Sequence, residues 1–269
     1  MKRSPADSRL LALAATQGAV LLAFLIVPLV QLSWVSPLAT LRLFTIPEVR
    51  QALILTFACA AAAAALGLLL SAALGYWLAQ RPLWISRVLL PLVDIPLLIP
   101  HPVAGIALLL LLARPGLLNH LLQSLHLSPA SGSLLGTPAA IIAAMLFVSA
   151  PYQVQVCRQA FAGLDPAYAL RARTLGAGPW RTLLQIELPL VRRSLLGGAA
   201  MALARSASEF GAILVVAYFP RTLPVLIYEK FSNEGLDAVR PLAALMILAG
   251  LLLQAIIHYL QPNEALEHA

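Results

Sequence analysis

Apolar residues run along this chain in long uninterrupted blocks, not in alternation and not on one stripe of a helix. No charged residue occurs between Leu10 and Arg42, and none between Gln51 and Arg81. The hydrocarbon core of a bilayer is about 30 Å thick and a helix rises about 1.5 Å per residue, so one span takes about 20 apolar residues. Six windows reach that length, at about 11–32, 52–79, 88–113, 137–157, 194–217 and 241–260. A membrane β-barrel would alternate apolar and polar positions, which these runs do not. Two windows are unusual. The third holds Asp94 and several prolines, and the fifth holds Arg205 and Glu209.

Composition narrows the reading to a membrane protein. Of 269 residues 61% are hydrophobic and 11% charged, against about 25% charged in an ordinary soluble domain. So few charges cannot clothe a water-soluble fold of this size, and so apolar a chain is not disordered. Two cysteines make no disulfide scaffold; Cys59 lies in an apolar window and Cys157 near a span end, so no bridge is expected. The expectation is an all-α, polytopic membrane protein with six transmembrane helices, its whole length of 1–269 forming one transmembrane domain. Basic residues gather on the cytoplasmic side of membrane proteins. An inward amino terminus puts eleven Lys and Arg inside and six outside, so both termini are expected in the cytoplasm. The start Met1-Lys2-Arg3 resembles the basic region of a signal peptide, but the apolar run is too long and no A-x-A site follows it, so it reads as the first span. This bias accounts for the net charge of +7 without nucleic acid as a partner.

Between the fourth and fifth windows, residues 164–189 carry strong boundary signals. Asp165 before Pro166 reads as an N-cap with proline in the first turn. A short helix then runs to Leu175, where Gly176 can take the left-handed cap conformation. Pro179 starts a second short helix and Pro189 marks its end. The loop is thus a cytoplasmic helix–turn–helix. Tyr168, Ala172 and Leu175 fall on one face as a small apolar ridge among Arg171, Arg173 and Arg181. Such a ridge suits either a groove on another protein or membrane headgroups.

This stretch is similar to a known loop. Ala172, Gly176 and, after nine intervening residues, Ile186-x-Leu188-Pro189 resemble the "EAA" loop of permease subunits of ATP-binding-cassette importers, with Leu170 and Arg171 standing where the family has its glutamate and first alanine. Pro91–Ala107 and Ala204–Ala212 resemble the oxyanion branch of those permeases; Ser208-Glu-Phe-Gly-Ala212 matches its "GEFGA" segment with Ser208 for the first glycine. Pro220–Phe231 and Glu234-Gly-Leu most resemble molybdate/tungstate members. The resemblance covers about residues 50–260. It implies coupling helices that sit in a cleft on an ATPase subunit, with Asp165, Pro166, Tyr168, Ala172, Leu175, Gly176, Ile186, Leu188 and Pro189 at that joint. It also implies a pair of ATPase subunits that bind ATP and Mg, a second permease copy as a homodimer, and an extracytoplasmic oxyanion-binding protein. Lipid surrounds the assembly, in the cytoplasmic (inner) membrane.

Charges inside a bilayer are costly and mark function by default. Arg205 and Glu209 lie four apart on one helix and can pair across a turn; the readings are an ion pair within the helix or between helices that fixes packing, or a direct contact of Arg205 with a transported anion. A conducted anion needs weak, replaceable contacts, which the hydroxyls of Ser206 and Ser208 and the backbone near Gly211 can supply. Prolines 96, 100 and 102 break the third window. That is tolerated at membrane depth only inside protein or beside water, and it brings His101 to the path as a candidate. Asp94 would repel an anion and reads as a capping or pairing group.

Catalytic sets are missing. The sequence has no G-x-x-x-x-G-K-[ST], no H-E-x-x-H and no G-x-S-x-G. The five histidines form no zinc-ligand pattern. The reading is therefore a transport subunit and not an enzyme, with no cofactor or metal of its own, that moves a tetrahedral oxyanion. The alternatives are a permease for sulfate or another small solute, and a membrane-embedded enzyme or assembly factor with the basic loop on headgroups.

Overall fold

Proline sets many of the helix starts. The computed structural model describes residues 5–113 and 133–260; Lys2, Arg3 and Arg114, used above for orientation, lie outside them. After α1 (Pro5–Ser33) come α2 (Pro37–Arg42) and α3 (Pro47–Ala79), both beginning on proline. The same holds for α6 (Pro138–Ala162), α7 (Pro166–Thr174) and α8 (Pro179–Thr182). A proline's fixed φ suits the first turn, and its missing N–H costs nothing there. Between them lie α4 (Leu83–Leu98) and α5 (His101–Leu112). The described residues close with α9 (Leu188–Ala207), α10 (Gly211–Val216), α11 (Leu223–Glu234) and α12 (Leu236–Leu260). The described residues contain no strand.

Among the described residues, four helices are long and apolar enough to cross a membrane, in α1, α3, α6 and α12. The other two expected spans are interrupted, the third as its prolines led one to expect and the fifth without such a signal. Window 88–113 is divided into α4 and α5, bent by 107°. Ile99 precedes Pro100, and a residue before proline is pushed out of the α region; Ile99 is extended, at φ −81° and ψ 146°. Window 194–217 stops at Ala207 and resumes at Gly211 as α10.

Small residues let the central helices touch. Along α3, Ala60, Ala63, Ala64, Gly67, Ser71 and Gly75 are buried, and α6 faces them with Ala140, Ala144, Met145 and Val148. Apolar burial gains little where the solvent is lipid, so close contact and hydrogen bonds hold such helices together. Gln153, wholly buried on α6, donates from Nε2 to the Ala64 carbonyl at 3.0 Å. Helix α9 crosses both, its Gly198 lying under Val156. A main cluster joins α3, α5, α6 and α10 through Ala60, Leu108, Met145 and Ile213. A second, of Val49, Leu223, Leu226 and Leu242, joins the ends of α3, α11 and α12. The third lies at the opposite end, where Cys157, Phe161, Val191 and Leu195 pack together and Tyr76 meets the Phe161 ring edge-to-face at 5.1 Å.

Helix α1 stands apart. None of its apolar window from Leu13 to Ser33 is buried, and its last turn is tied to the bundle by Arg240, whose Nη2 donates to the carbonyls of Gln31 and Trp34.

A Cβ on Gly75 would lie 2.6 Å from Cys157 Cβ and 2.8 Å from the Arg158 backbone nitrogen. Neither atom can swing away. Gly75→Ala is expected to destabilise the folded chain by about 1–3 kcal/mol, measured by thermal unfolding in detergent. Gly250→Ala, with open space around its Cβ, should match the parent.

Candidate functional site

Loop 164–189 keeps most of its expected boundaries. The Asp165 carboxylate accepts from the Ala167 N–H at 2.9 Å and caps α7. Gly176 takes φ +84°, and the Ala177 N–H reaches back to the Ala172 carbonyl at 3.0 Å, closing the helix end. Two expectations fail. Pro189 does not end the second short helix. From α8 the chain passes through one π turn, Leu183–Glu187, directly into α9, with Pro189 in its first turn. Proline lacks an N–H and its ring strikes the carbonyl four residues back; one widened turn absorbs both. Nor does Ala172 belong to an exposed ridge. It is 5% exposed and turned inward, whereas Leu175 is 88% exposed and Tyr168, Leu170 and Trp180 lie open. The apolar surface therefore sits on the turn and both short helices. Leu188 and Leu183 pack on the third cluster, so the loop is seated on α6 and α9; Ile186 is half-buried.

The two interrupted spans meet. Gly211, at the start of α10, is buried, and a Cβ there would come 2.8 Å from His101 Cβ at the start of α5. Gly105 allows the same closeness one turn on, against Val215 and the Ala212 carbonyl. This contact brings together three of the marked side chains. Glu209 is fully buried; its Oε1 accepts from the Ala212 N–H at 2.9 Å and its Oε2 lies 2.8 Å from His101 Nδ1. The other ring nitrogen, Nε2, is 2.7 Å from Arg205 Nη2. A guanidinium only donates. Nε2 must therefore accept, which leaves the ring proton on Nδ1, the nitrogen that faces Glu209. The expected turn-spanning pair of Arg205 with Glu209 is thus replaced by a bridge through His101. The i,i+4 relation needs a continuous helix, and α9 stops at Ala207.

Both serines spend their hydroxyl protons within the protein. Ser206 is buried and donates to the Met145 carbonyl at 3.5 Å, and Ser208, though exposed, donates to the Arg205 carbonyl at 3.0 Å. Among the described residues Arg205 makes no hydrogen bond beyond that to His101, so its Nε and Nη1 are open to a ligand. The arrangement offers one cationic fork beside a helix break and a buried carboxylate behind it. Asp94 pairs with Gln155, whose Nε2 donates to both carboxylate oxygens at 2.8 Å.

The sequence of binding-protein-dependent transport system inner membrane components matches residues 71–265. The chain belongs to that family. As an inner membrane component it is similar to the molybdate/tungstate transport system permease protein WtpB of Thermococcus kodakarensis, 38% identical over 92% of this chain and 94% of that one. The molybdenum transport system permease protein ModB of Mycobacterium tuberculosis is 35% identical over 78% and 79%. A bacterial alginate ABC transporter, solved with its pentasaccharide-bound periplasmic protein, shares the fold at TM-score 0.74 and 16% identity, over 94% and 93% of the two chains.

Some of this inner membrane component's polar groups escaped the sequence reading. Gln153 and Gln155 stood as two amides in an apolar window, which was a usable signal. Arg221 pairs with Glu48 and, through Nε at 2.6 Å, with Glu229, joining α3, the 217–222 segment and α11; nothing in local spacing links Glu48 to the other two. Removing the donor from Asp94 should be costly. Gln155→Leu is expected to lose about 1–3 kcal/mol, and the double change Asp94→Leu/Gln155→Leu to regain most of it, read as a double-mutant cycle of thermal stability.

Proposed function

We propose that this chain is the permease subunit of an ATP-binding-cassette importer that brings molybdate or tungstate into the cell. The observation that carries the reading is its 38% identity, over nearly the full length of both chains, to a molybdate/tungstate permease protein. The chemistry of the helix breaks supports it: a tetrahedral dianion needs donors, and Arg205 offers Nε and Nη1 there. Two copies of the permease form the path. A binding protein delivers the anion outside, and a pair of separate ATPase subunits holds ATP and Mg inside, where both termini of this chain also lie.

Loop 164–189 is the joint with the ATPases. Leu175, Tyr168 and Trp180 supply its apolar contact. Asp165, Pro166 and Gly176 fix the shape of the turn and Ala172 packs it from within, while Ile186, Leu188 and Pro189 pass motion on to α9. Closure of the ATPases draws the two loops together and turns the spans from inward- to outward-facing; hydrolysis resets them. At the path, Arg205 makes the contact with the anion, Ser208 stands beside it, and His101, Ser206, Glu209 and Gly211 build the wall.

Gly176→Val places a β-branched side chain at φ +84°, where such residues are strained. The variant is expected to insert into membranes, lose co-purification with the ATPase and abolish import. Parental import by this variant would overturn the coupling role. The substrate is read from the ATPase rate of the reconstituted complex with its binding protein. Molybdate or tungstate should stimulate it, and stimulation by sulfate alone would assign a different anion.

A further inference from the structure

A bare cation on the path of a dianion would hold it too tightly for release, and conduction needs contacts that let go. The environment of Arg205 answers this difficulty. Behind its guanidinium stands not a carboxylate but the imidazole of His101, and behind that the wholly buried Glu209. The order is anion, neutral ring, cation. Each member comes from a different place: Glu209 from the break after α9, His101 from the first residue of α5, Arg205 from the last turn of α9.

Glu209 is held from two sides: its Oε1 accepts from the Ala212 N–H, and its Oε2 lies 2.8 Å from the ring nitrogen Nδ1. The ring is fixed in turn by having to accept from Arg205. His101 is 32% exposed while Glu209 is sealed, so the carboxylate acts on the path only through the imidazole. Ser208 adds no donor, because its proton is spent on the Arg205 carbonyl. All the unspent donors in this cluster belong to Arg205.

We propose that His101 is a positioning residue and Glu209 a charge-setting residue for oxyanion passage. Through the ring they aim the free Nε and Nη1 of Arg205 at the anion, and they lower the net charge it meets so that the contact stays reversible. Direct pairing of Arg205 with Glu209 would spend those donors; the interposed ring leaves them open while bringing the negative charge near. This rests on the importer reading above, with Arg205 as the anion contact.

The test uses the full permease–ATPase complex, in vesicles with the binding protein for uptake and in detergent without it for equilibrium binding of labelled molybdate. Glu209→Gln keeps the shape and removes the charge. It is expected to raise molybdate retention about tenfold or more while slowing uptake, the loss of one close charged partner being worth that much. His101→Leu should cut uptake about tenfold, and His101→Gln, whose amide can donate to Glu209 and accept from Arg205, should recover most of it. A merely structural role would lower assembly and uptake together and leave retention per assembled complex unchanged. The proposal is overturned if Glu209→Gln does not tighten retention, or if His101→Gln is as defective as His101→Leu in complexes that assemble normally. Failure of the importer reading looks different: the parent complex itself would take up neither molybdate nor tungstate.

Discussion

A carboxylate sealed from water needs partners from the protein, and the arrangement around the helix breaks follows from how Glu209 finds two of them. One is the Ala212 N–H, free because α10 begins at Gly211 and its first-turn amides have no helical partner. The other is the ring of His101, reachable because α5 begins immediately after the proline break. Had the span through α9 continued as an unbroken helix, the Ala212 N–H would have been spent on the helix itself. The breaks and the buried carboxylate therefore support each other: the breaks bring these groups to it, and it holds the two broken ends together. Gly211 and Gly105 make this possible by leaving room for the α5 and α10 backbones to touch.

Helix α9 connects that centre to the loop at the other end of the molecule. It spans 20 residues, or about 30 Å, from the π turn after α8 to the turn that carries Arg205. Its first turns are packed through Val191 and Leu195 against Cys157 and Phe161, and Gly198 sits under Val156. In the importer reading this places the ATPase joint and the anion contact on opposite ends of one rigid element, so that a shift in one changes how Arg205 faces the path.

Much of this could be read from the chain. The long apolar runs, the loop at 164–189 with its Asp-Pro start and its glycine turn, and the broken third span all follow from rules acting within a few residues, and the structure has each of them. What could not be read depends on where distant groups land. The spacing of Arg205 and Glu209 pointed to a pair, because spacing assumes that the helix continues; the stop at Ala207 turned Glu209 toward His101, more than a hundred residues earlier. Ala172 shares a helical face with Tyr168 and Leu175, yet the loop rests on that alanine. Pro189 ordinarily ends a helix, and here a π turn let the helix proceed.

The state of one imidazole tests the whole arrangement. Chain labelled with ¹⁵N-histidine and embedded in lipid nanodiscs gives a signal for each ring, with His101 assigned by its loss in His101→Gln. At neutral pH the ring is expected to carry its proton on Nδ1 and none on Nε2, as a bridge between Glu209 and Arg205 requires. A ring protonated on Nε2 alone, or on both nitrogens, would contradict the bridge and with it the assembly of the two broken spans around a buried carboxylate.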